Sequence, residues 1–154
     1  MFFTRGLKSI LAVALTNAIV GLAPELASAQ SIPFQQTKGA NCFTNFNDTC
    51  EVSFAVPTGE RREINTVSCA ATIGTNSAPI AQAYLVAFSQ TNTPLALHNL
   101  VPFRNGTTAG VSYNTMNHQL LLFAPGGGKF VAHVTTNGAT NMQLTCSISG
   151  QRIK

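Results

Sequence analysis

The chain has 154 residues, of which 9% are charged, and its nine bases outweigh its five acids to give a formal net charge of +4. The bases are scattered along the chain, which argues against nucleic acid binding, because that function needs Lys and Arg clustered on one face. Hydrophobic residues make up 45% of the chain. Such a chain can bury enough apolar area to offset the entropy lost on folding, which argues against a disordered protein.

The first 29 residues have the pattern of a cleavable export signal. Arg5 and Lys8 give a positive start, an apolar run occupies residues 10–22, and Ala27-Ser28-Ala29 supplies the small residues that signal peptidase requires. A membrane anchor is the alternative, but the apolar run is shorter than the ~20 residues needed to cross a bilayer. We expect cleavage after Ala29, a secreted or periplasmic mature protein, and no transmembrane anchor after cleavage.

Four cysteines, all beyond the cleavage site, predict a disulfide framework in an oxidising compartment. Three connectivities are possible. We favour Cys42–Cys50, which closes a short loop, and Cys69–Cys146, which joins two strand-like stretches. In the chain-entropy model these would stabilise the fold by about 2–3 and about 4–5 kcal/mol. Metal or redox use is disfavoured, because the spacings match neither a zinc site nor a C-x-x-C motif.

The elements beyond the signal are predicted, in chain order, as short strands separated by turns. Residues 30–49 are predicted as an N-terminal arm and disulfide loop, since residues 30–41 are polar and lack periodicity. Asn105-Gly106 and Asn137-Gly138 indicate tight turns, because these residues tolerate positive φ. Strand-like patterns occupy residues 51–56, 62–73, 80–88, 95–103, 109–113, 120–123, 130–136 and 142–148.

This spacing predicts that residues 50–154 form an all-β domain. About eight short strands at roughly 10-residue intervals are typical of an antiparallel β-sandwich with jelly-roll or Greek-key connections. A small barrel is the alternative. Residues 80–88 are apolar on both faces, which favours a central strand over a short helix.

Three segments resemble small exported bacterial proteins of uncharacterised function. Val56-Pro-Thr-Gly-Glu-Arg-Arg-Glu-Ile64, running into Val67-Ser68, resembles their V-P-x-G-x-R strand entry. Phe123-Ala-Pro-Gly-Gly and Cys146-Ser-Ile-Ser-Gly150 are similar to their final hairpin. The resemblance covers roughly residues 50–150. It implies a secreted bacterial β-sandwich and brings no activity or site residues with it.

Candidate catalytic motifs are incomplete. Gly126-Gly-Gly-Lys129 lacks the Ser or Thr and the following helix of a phosphate loop, so we interpret it as a glycine-rich hairpin turn. The nucleophile motif G-x-S-x-G of serine hydrolases does not occur in the sequence. An even number of cysteines in an oxidising compartment also argues against a cysteine nucleophile.

Histidines and acids offer weaker candidates. His98, His118 and His133 lack metal-motif spacing, so only the fold could gather them on a metal, and we interpret each as a strand histidine. A glycosidase needs two carboxylates on either side of the scissile bond. Surface ion pairing is the simpler explanation for the acids of the mature chain, which are Asp48, Glu51, Glu60 and Glu63.

Exposed aromatic residues could form a carbohydrate platform. The sequence has no Trp, which weakens that interpretation without excluding it. Aromatic residues in polar surroundings are expected to be exposed, and these are Phe34, Phe43, Phe46 and Tyr113. Those in alternating apolar stretches are expected in the core, and these are Phe54, Phe88, Phe123 and Phe130.

We therefore expect a non-enzymatic, exported β-sandwich that binds or supports something at the cell envelope. No catalytic, cofactor-binding or metal-binding residue is assigned, and no cofactor or nucleic acid partner is expected. One alternative is a hydrolase or carbohydrate-binding module that acts on extracellular polymers. Another is a surface protein that associates with itself through an uncapped edge strand.

Overall fold

The computed structural model describes residues 31–44, 49–74, 79–138 and 140–153. The export signal, Phe46 and Asp48 lie outside the described residues. Within them the chain forms nine strands and no helix. The strands are β1 (Ser31–Thr44), β2 (Thr49–Ala55), β3 (Arg61–Gly74), β4 (Ile80–Phe88), β5 (Pro94–Asn99), β6 (Phe103–Thr108), β7 (Val111–Ala124), β8 (Lys129–Thr136) and β9 (Thr140–Ile153).

The strands form two antiparallel sheets, which confirms the predicted β-sandwich. Sheet A has five strands in the order β1-β9-β3-β7-β6, and sheet B has four in the order β2-β8-β4-β5. Consecutive strands are paired as hairpins at β4–β5 and β6–β7. The other described connections cross between the sheets, so each sheet is assembled from strands that are distant in sequence.

The core lies between the sheets because alternate residues of most strands point inward. Val52, Phe54 and Val56 recur at period two and are buried, as their alternation predicts. The same pattern on β9 buries every second residue from Met142 to Ile148. Fully burying one such side chain typically contributes about 1.5–3 kcal/mol, so this layer is the main source of stability.

Both predicted disulfides are present. Cys69 and Cys146 lie opposite each other on β3 and β9 of sheet A, with their Cα atoms 4.1 Å apart. Cys42 and Cys50 join β1 of sheet A to β2 of sheet B. One bond therefore fastens two strands of one sheet, and the other ties the two sheets together.

The expected loose arm is wrong, because residues 31–44 form β1, a long edge strand of sheet A. It pairs with β9 along its whole length, from Ser31 opposite Ile153 to Thr44 opposite Thr140. Phe34 and Ala40 also pack against the core. Backbone hydrogen bonds to β9 therefore order a segment whose side chains are largely polar.

The turn expected at Asn105-Gly106 is also wrong. These residues lie inside β6, where the register with β7 shifts between Arg104 and Gly106. The chain reverses instead at Ala109 and Gly110, both of which have positive φ. The stretch expected as one strand over residues 95–103 is divided between β5 and β6, and residues 111–124 form a single strand rather than two.

The glycine-rich segment between β7 and β8 is a turn, as expected, although it joins the two sheets rather than forming a hairpin within one. Gly127 has a φ of +78°, which favours glycine. A Cβ on Gly126 would meet the backbone oxygen of Glu60 at 2.8 Å, so the chain passes too close for any larger residue. Strand β8 begins at Lys129 itself, so the helix that a phosphate loop requires is not formed.

Candidate binding surface

Apart from the end that carries Arg61 and Glu63, the outward side of sheet A is a broad surface of mostly polar, uncharged side chains, which we call the uncharged face. None of its members, all in the described part of the chain, carries a charge. At a strand spacing of about 4.8 Å, five strands span about 19 Å. Its members are Gln35, Thr37, Gly39, Asn41 and Phe43 on β1; Asn141, Gln143, Thr145, Ser147 and Ser149 on β9; Thr66, Ser68, Ala70, Thr72 and Gly74 on β3; Val111, Tyr113, Thr115, Asn117 and Gln119 on β7; and Phe103, Asn105 and Thr108 on β6.

Antiparallel register arranges these side chains in rows that run across the strands. One row contains Thr37, Ser147, Ser68 and Asn117 on four successive strands. Thr37 and Ser147 share a hydrogen bond of 2.6 Å between their hydroxyls. The hydroxyl of Ser68 donates to Oδ1 of Asn117 at 2.5 Å. The hydroxyls and amides are thus held in fixed positions by their neighbours across the sheet.

The next row has smaller side chains, and we call it the small-residue row. It passes through Gly39, Thr145, Ala70 and Thr115 and ends at Phe103. A Cβ added to Gly39 would meet the Thr145 hydroxyl at 3.2 Å, which shows how closely the two residues are packed. Gly39 and Ala70 have minimal side chains, and Thr115 lies between the larger Tyr113 and Asn117. By side-chain size this row is therefore lower than its neighbours on β1, β3 and β7, and we call it the trough.

Aromatic side chains lie at the β6–β7 end of the trough. Phe103 is 69% exposed and Tyr113 is 45% exposed. Phe103 is opposite Thr115, and Tyr113 is the next outward residue along β7, so the two rings belong to adjacent rows. Phe43, which is 84% exposed, lies on β1 at another corner of the face.

The charged residues of sheet A are placed elsewhere. Arg61 and Glu63 are at one end of β3, beyond the uncharged face. Arg62 is buried, and its guanidinium lies 4.8 Å from the Phe34 ring while it donates to Gln36 Oε1 at 2.9 Å. The carboxylate of Glu60 is within 3.4 Å of Arg62 and within 3.6 Å of Arg152. These contacts form an ion-pair cluster at one end of the sandwich.

The outward side of sheet B differs, because it holds a titratable pair. His133 Nδ1 lies 2.9 Å from Oε1 of Glu51, and the imidazole stacks on Tyr84 with ring centroids 4.8 Å apart. Burial lowers the pKa of His133 below its usual range, although the neighbouring Glu51 carboxylate opposes that shift. His133 Nε2 is buried with no hydrogen-bond partner, so the pair is not connected to a nucleophile.

A groove of about 590 Å³ lies next to Tyr84, at the edge where β5 leads into β6. Its polar lining comes from Gln82, Tyr84 and Asn99, and its apolar lining includes Ile80, Leu97 and Pro102. The main-chain nitrogen of Leu100 donates to the Ala83 oxygen at 2.8 Å, which holds the crossing chain against β4.

The other two histidines meet at this crossing. His118 Nε2 accepts a hydrogen bond of 2.8 Å from the Val101 main-chain nitrogen, and His118 Nδ1 lies 3.4 Å from His98 Nε2. Because His118 Nε2 acts as acceptor, Nδ1 carries the ring proton and donates the hydrogen bond to His98 Nε2. Both nitrogens of His118 are thus used in holding the crossing rather than in binding a metal.

No protein-family model matches the chain, and no curated protein is significantly similar to it in sequence. The geometry of its surfaces is therefore the basis for assigning a function.

The structure places the sequence-derived candidates in separate regions. Two of the three histidines lie together, while His133 is on the outward side of sheet B with Glu51. No group of three or more metal-ligating side chains occurs in the described ranges. Glu60 is inside the ion-pair cluster rather than on an open surface.

The aromatic residues are partly as expected. Phe43 and Tyr113 are exposed, and Phe54 and Phe130 are fully buried. Phe34 is half-buried against the core instead of exposed. The core positions expected for two others are wrong: Phe88 and Phe123 are half-buried on outward sides of the sheets, next to Lys129 and Arg61.

Phe103 was missed as an exposed aromatic residue. The sequence predicts it at the end of a strand over residues 95–103, whereas it begins β6 on the uncharged face. The polar run from Arg104 to Thr108 that follows it was the available signal. The uncharged face itself was also missed, because its members come from strands that are far apart in sequence.

Proposed function

We propose that this chain is an exported, non-enzymatic binding protein whose uncharged face contacts its ligand. The observation that carries the proposal is the separation of charge: the charged residues described on sheet A lie at its end or on its inward side, and an exposed surface of hydroxyls, amides and aromatic rings is left between them. Exposed aromatic and hydrogen-bonding side chains on a rigid sheet suit recognition of a ligand without chemistry on it.

The histidine–carboxylate pair supports a non-enzymatic role rather than catalysis. General acid–base catalysis needs a ring nitrogen that reaches the reacting group. In His133, Nδ1 is used by Glu51, and Nε2 is buried and contacts no donor or acceptor. The pair therefore orients the ring against Tyr84, which is a structural role.

Export is supported by two independent features. The first 29 residues have the charged start, apolar run and small-residue site of a signal peptide. Two disulfides fit an oxidising extracellular or periplasmic compartment. Among the described residues, none forms a helix with the length and apolar character needed to cross a membrane.

The test is to express the full chain in a bacterium and to sequence the amino terminus of the protein recovered outside the cytoplasm. We expect it to begin at Gln30. The recovered protein is then sedimented with insoluble envelope material, as wild type, as Thr145→Lys on the uncharged face and as the matched control Ser53→Lys on sheet B. Loss of sedimentation in Thr145→Lys alone supports the proposal.

Two results would overturn it. One is a cytoplasmic protein that keeps residues 1–29. The other is equal sedimentation of the two variants, which would place the binding surface elsewhere. Release of soluble fragments from the envelope material by the wild type, and its absence in His133→Gln, would establish an enzyme instead.

Exposed apolar side chains favour self-association as a second candidate function. Leu95 and Leu97 on β5, Val101 on the crossing and Leu121 on β7 are all more than half exposed. β5 is the edge strand of sheet B, and β7 is next to the edge strand β6 of sheet A. An exposed edge strand could pair with another copy. Sedimentation equilibrium over a range of concentrations tests this: a constant monomer mass contradicts it.

A further inference from the structure

We propose that the uncharged face binds a neutral polysaccharide that lies across the strands along the small-residue row. This inference rests on the proposed function, because it names the ligand class of the same surface. Three features carry it: the chemistry of the side chains, the absence of charge among them, and the shape of the trough with its aromatic end.

The side chains of the face both donate and accept hydrogen bonds. Ser and Thr hydroxyls do so, and Asn and Gln amides present both types of group side by side. Sugar hydroxyls have the same dual character, so a polymer of them can satisfy many of these groups at once. Thr37, Ser147, Ser68 and Asn117 form a ready row of such partners along one side of the trough.

The charge distribution selects a neutral polymer. Carboxylate, sulfate and phosphate groups are bound through Arg and Lys in charge-assisted hydrogen bonds. The described cations of sheet A are at its end or on its inward side. Arg62 lies against the Phe34 ring, and Lys38 Nζ donates to the Ser53 main-chain oxygen. The described members of the uncharged face thus include no cation that could pair with an anionic group of a ligand.

The composition of the face also argues against a protein partner. Protein interfaces have apolar centres enriched in aromatic residues, Met and Arg. The centre of this face instead contains Thr145, Ala70 and Ser68, and its exposed rings lie at the margin on Phe103, Tyr113 and Phe43. A hydroxyl-rich ligand suits that centre better than the side chains of another protein.

The trough gives the ligand a direction. It runs from Gly39 on the edge strand β1 to Phe103 on the opposite edge strand, about 19 Å at the usual strand spacing. Among the described residues both ends of the trough lie at sheet edges, so a long chain can pass over the face without terminating there. At the β6 end, the exposed rings of Phe103 and Tyr113 offer flat apolar surfaces for the C–H faces of sugar rings.

The test is native affinity electrophoresis of the full chain after export and disulfide formation. Gels contain a mixed-linkage β-glucan, a xyloglucan, a galactomannan or dextran as neutral polymers, or alginate as an anionic one, each at low and high salt. We expect retardation in at least one neutral polymer that persists at high salt, because neutral contacts are not screened. Retardation by alginate that disappears in salt, with none by the neutral polymers, overturns the proposal.

Three variants locate the site. Tyr113→Ala is expected to weaken retention about tenfold, the effect of losing an aromatic contact worth up to about 1.5 kcal/mol. Thr145→Lys, which fills the trough with a long charged side chain, should abolish it. Ser53→Lys adds the same charge on the outward side of sheet B and should leave retention unchanged. Equal retention of all three variants overturns the location.

Failure of this inference differs from failure of the proposed function. Suppose that the wild type sediments with envelope material, that Thr145→Lys does not, and that no neutral polymer retards the wild type. The proposed ligand class is then wrong, while the uncharged face is still supported as the binding surface. If Thr145→Lys instead sediments like the wild type, the proposed function fails with it. Circular dichroism and thiol titration of each variant confirm that fold and disulfides are intact.

Discussion

The outward sides of the two sheets are built on different chemistry. That of sheet A carries hydroxyls, amides and rings, with the charges of Arg61 and Glu63 confined to one end, whereas that of sheet B carries Glu51, His133 and Lys129. On sheet B the polar groups are joined to neighbours: Glu51 to His133, and His133 to Tyr84. Two valines on the same side, Val86 and Val131, are buried although they face away from the core.

The difference shows which side is available to a ligand. Sheet B buries Val86 and Val131 on its outward side and pairs Glu51 with His133, so this side contributes to the stability of the fold. Sheet A keeps its charges at the end or on the inward side and leaves a regular polar surface exposed.

Removing the disulfide of sheet A should have the largest effect. The double variant Cys69→Ala/Cys146→Ala deletes a bond that closes a long loop, and losing a native disulfide typically costs about 2–5 kcal/mol. Urea denaturation measures the loss in the free energy of unfolding. The matched variant Cys42→Ala/Cys50→Ala opens a loop with a sequence separation of only 8 and should cost less. The reverse order would contradict the chain-entropy explanation.

The crossing between the sheets should respond next. His118→Ala removes the acceptor of the Val101 main-chain N–H and the donor to His98. An unsatisfied donor costs about 1–3 kcal/mol when buried, and this one is near the surface, so we expect about 1 kcal/mol from urea denaturation. His98→Ala, which leaves the bond to Val101 intact, should cost less. Equal losses would show that the two rings stabilise the crossing mainly by packing.

The sequence predicted those parts of the fold that are determined by residues close together in the chain. Period-two alternation and turn residues were enough for the sandwich, as in Val52, Phe54 and Val56. They failed for β1, because an edge strand is held by its backbone and its side chains need no clear pattern. At Asn105-Gly106 a strong turn signal was overridden, because β6 pairs with β7 and the reversal occurs at Ala109-Gly110.

The binding surface was beyond local signals altogether. Thr37, Ser68, Asn117 and Ser147 become neighbours only when strand order and register are known. In the sequence each of them is an ordinary polar residue at an alternating position. The segments that form β1, β3, β7 and β9 each have uncharged polar residues at alternate positions. Nothing in that pattern indicates that the four segments lie side by side.

The titratable pair of sheet B should make stability depend on pH in one direction. Since the pKa of His133 is lowered in the folded state, the unfolded chain takes up a proton first as the pH falls below about 6.5. The contribution of neutral His133 to the free energy of unfolding is complete above that pH, and it is lost as the pH falls through the folded-state pKa. In His133→Gln this part of the pH dependence should disappear. Urea denaturation at several pH values checks it, and an unchanged profile would contradict the assignment.

Two lysine substitutions should have the smallest effect on stability, and they test the contrast between the outward sides of the two sheets most directly. Thr145→Lys and Ser53→Lys each place a long charged side chain at an exposed strand position, one on sheet A and one on sheet B. Exposed substitutions of this kind usually change the free energy of unfolding by less than about 0.5 kcal/mol. Two variants of nearly equal stability that differ in polysaccharide retention would separate binding from folding. A large loss of stability in Thr145→Lys alone would contradict this. It would show that the side chain at position 145 has no free space beside Gly39 and Ala70, so that a ligand would have none either.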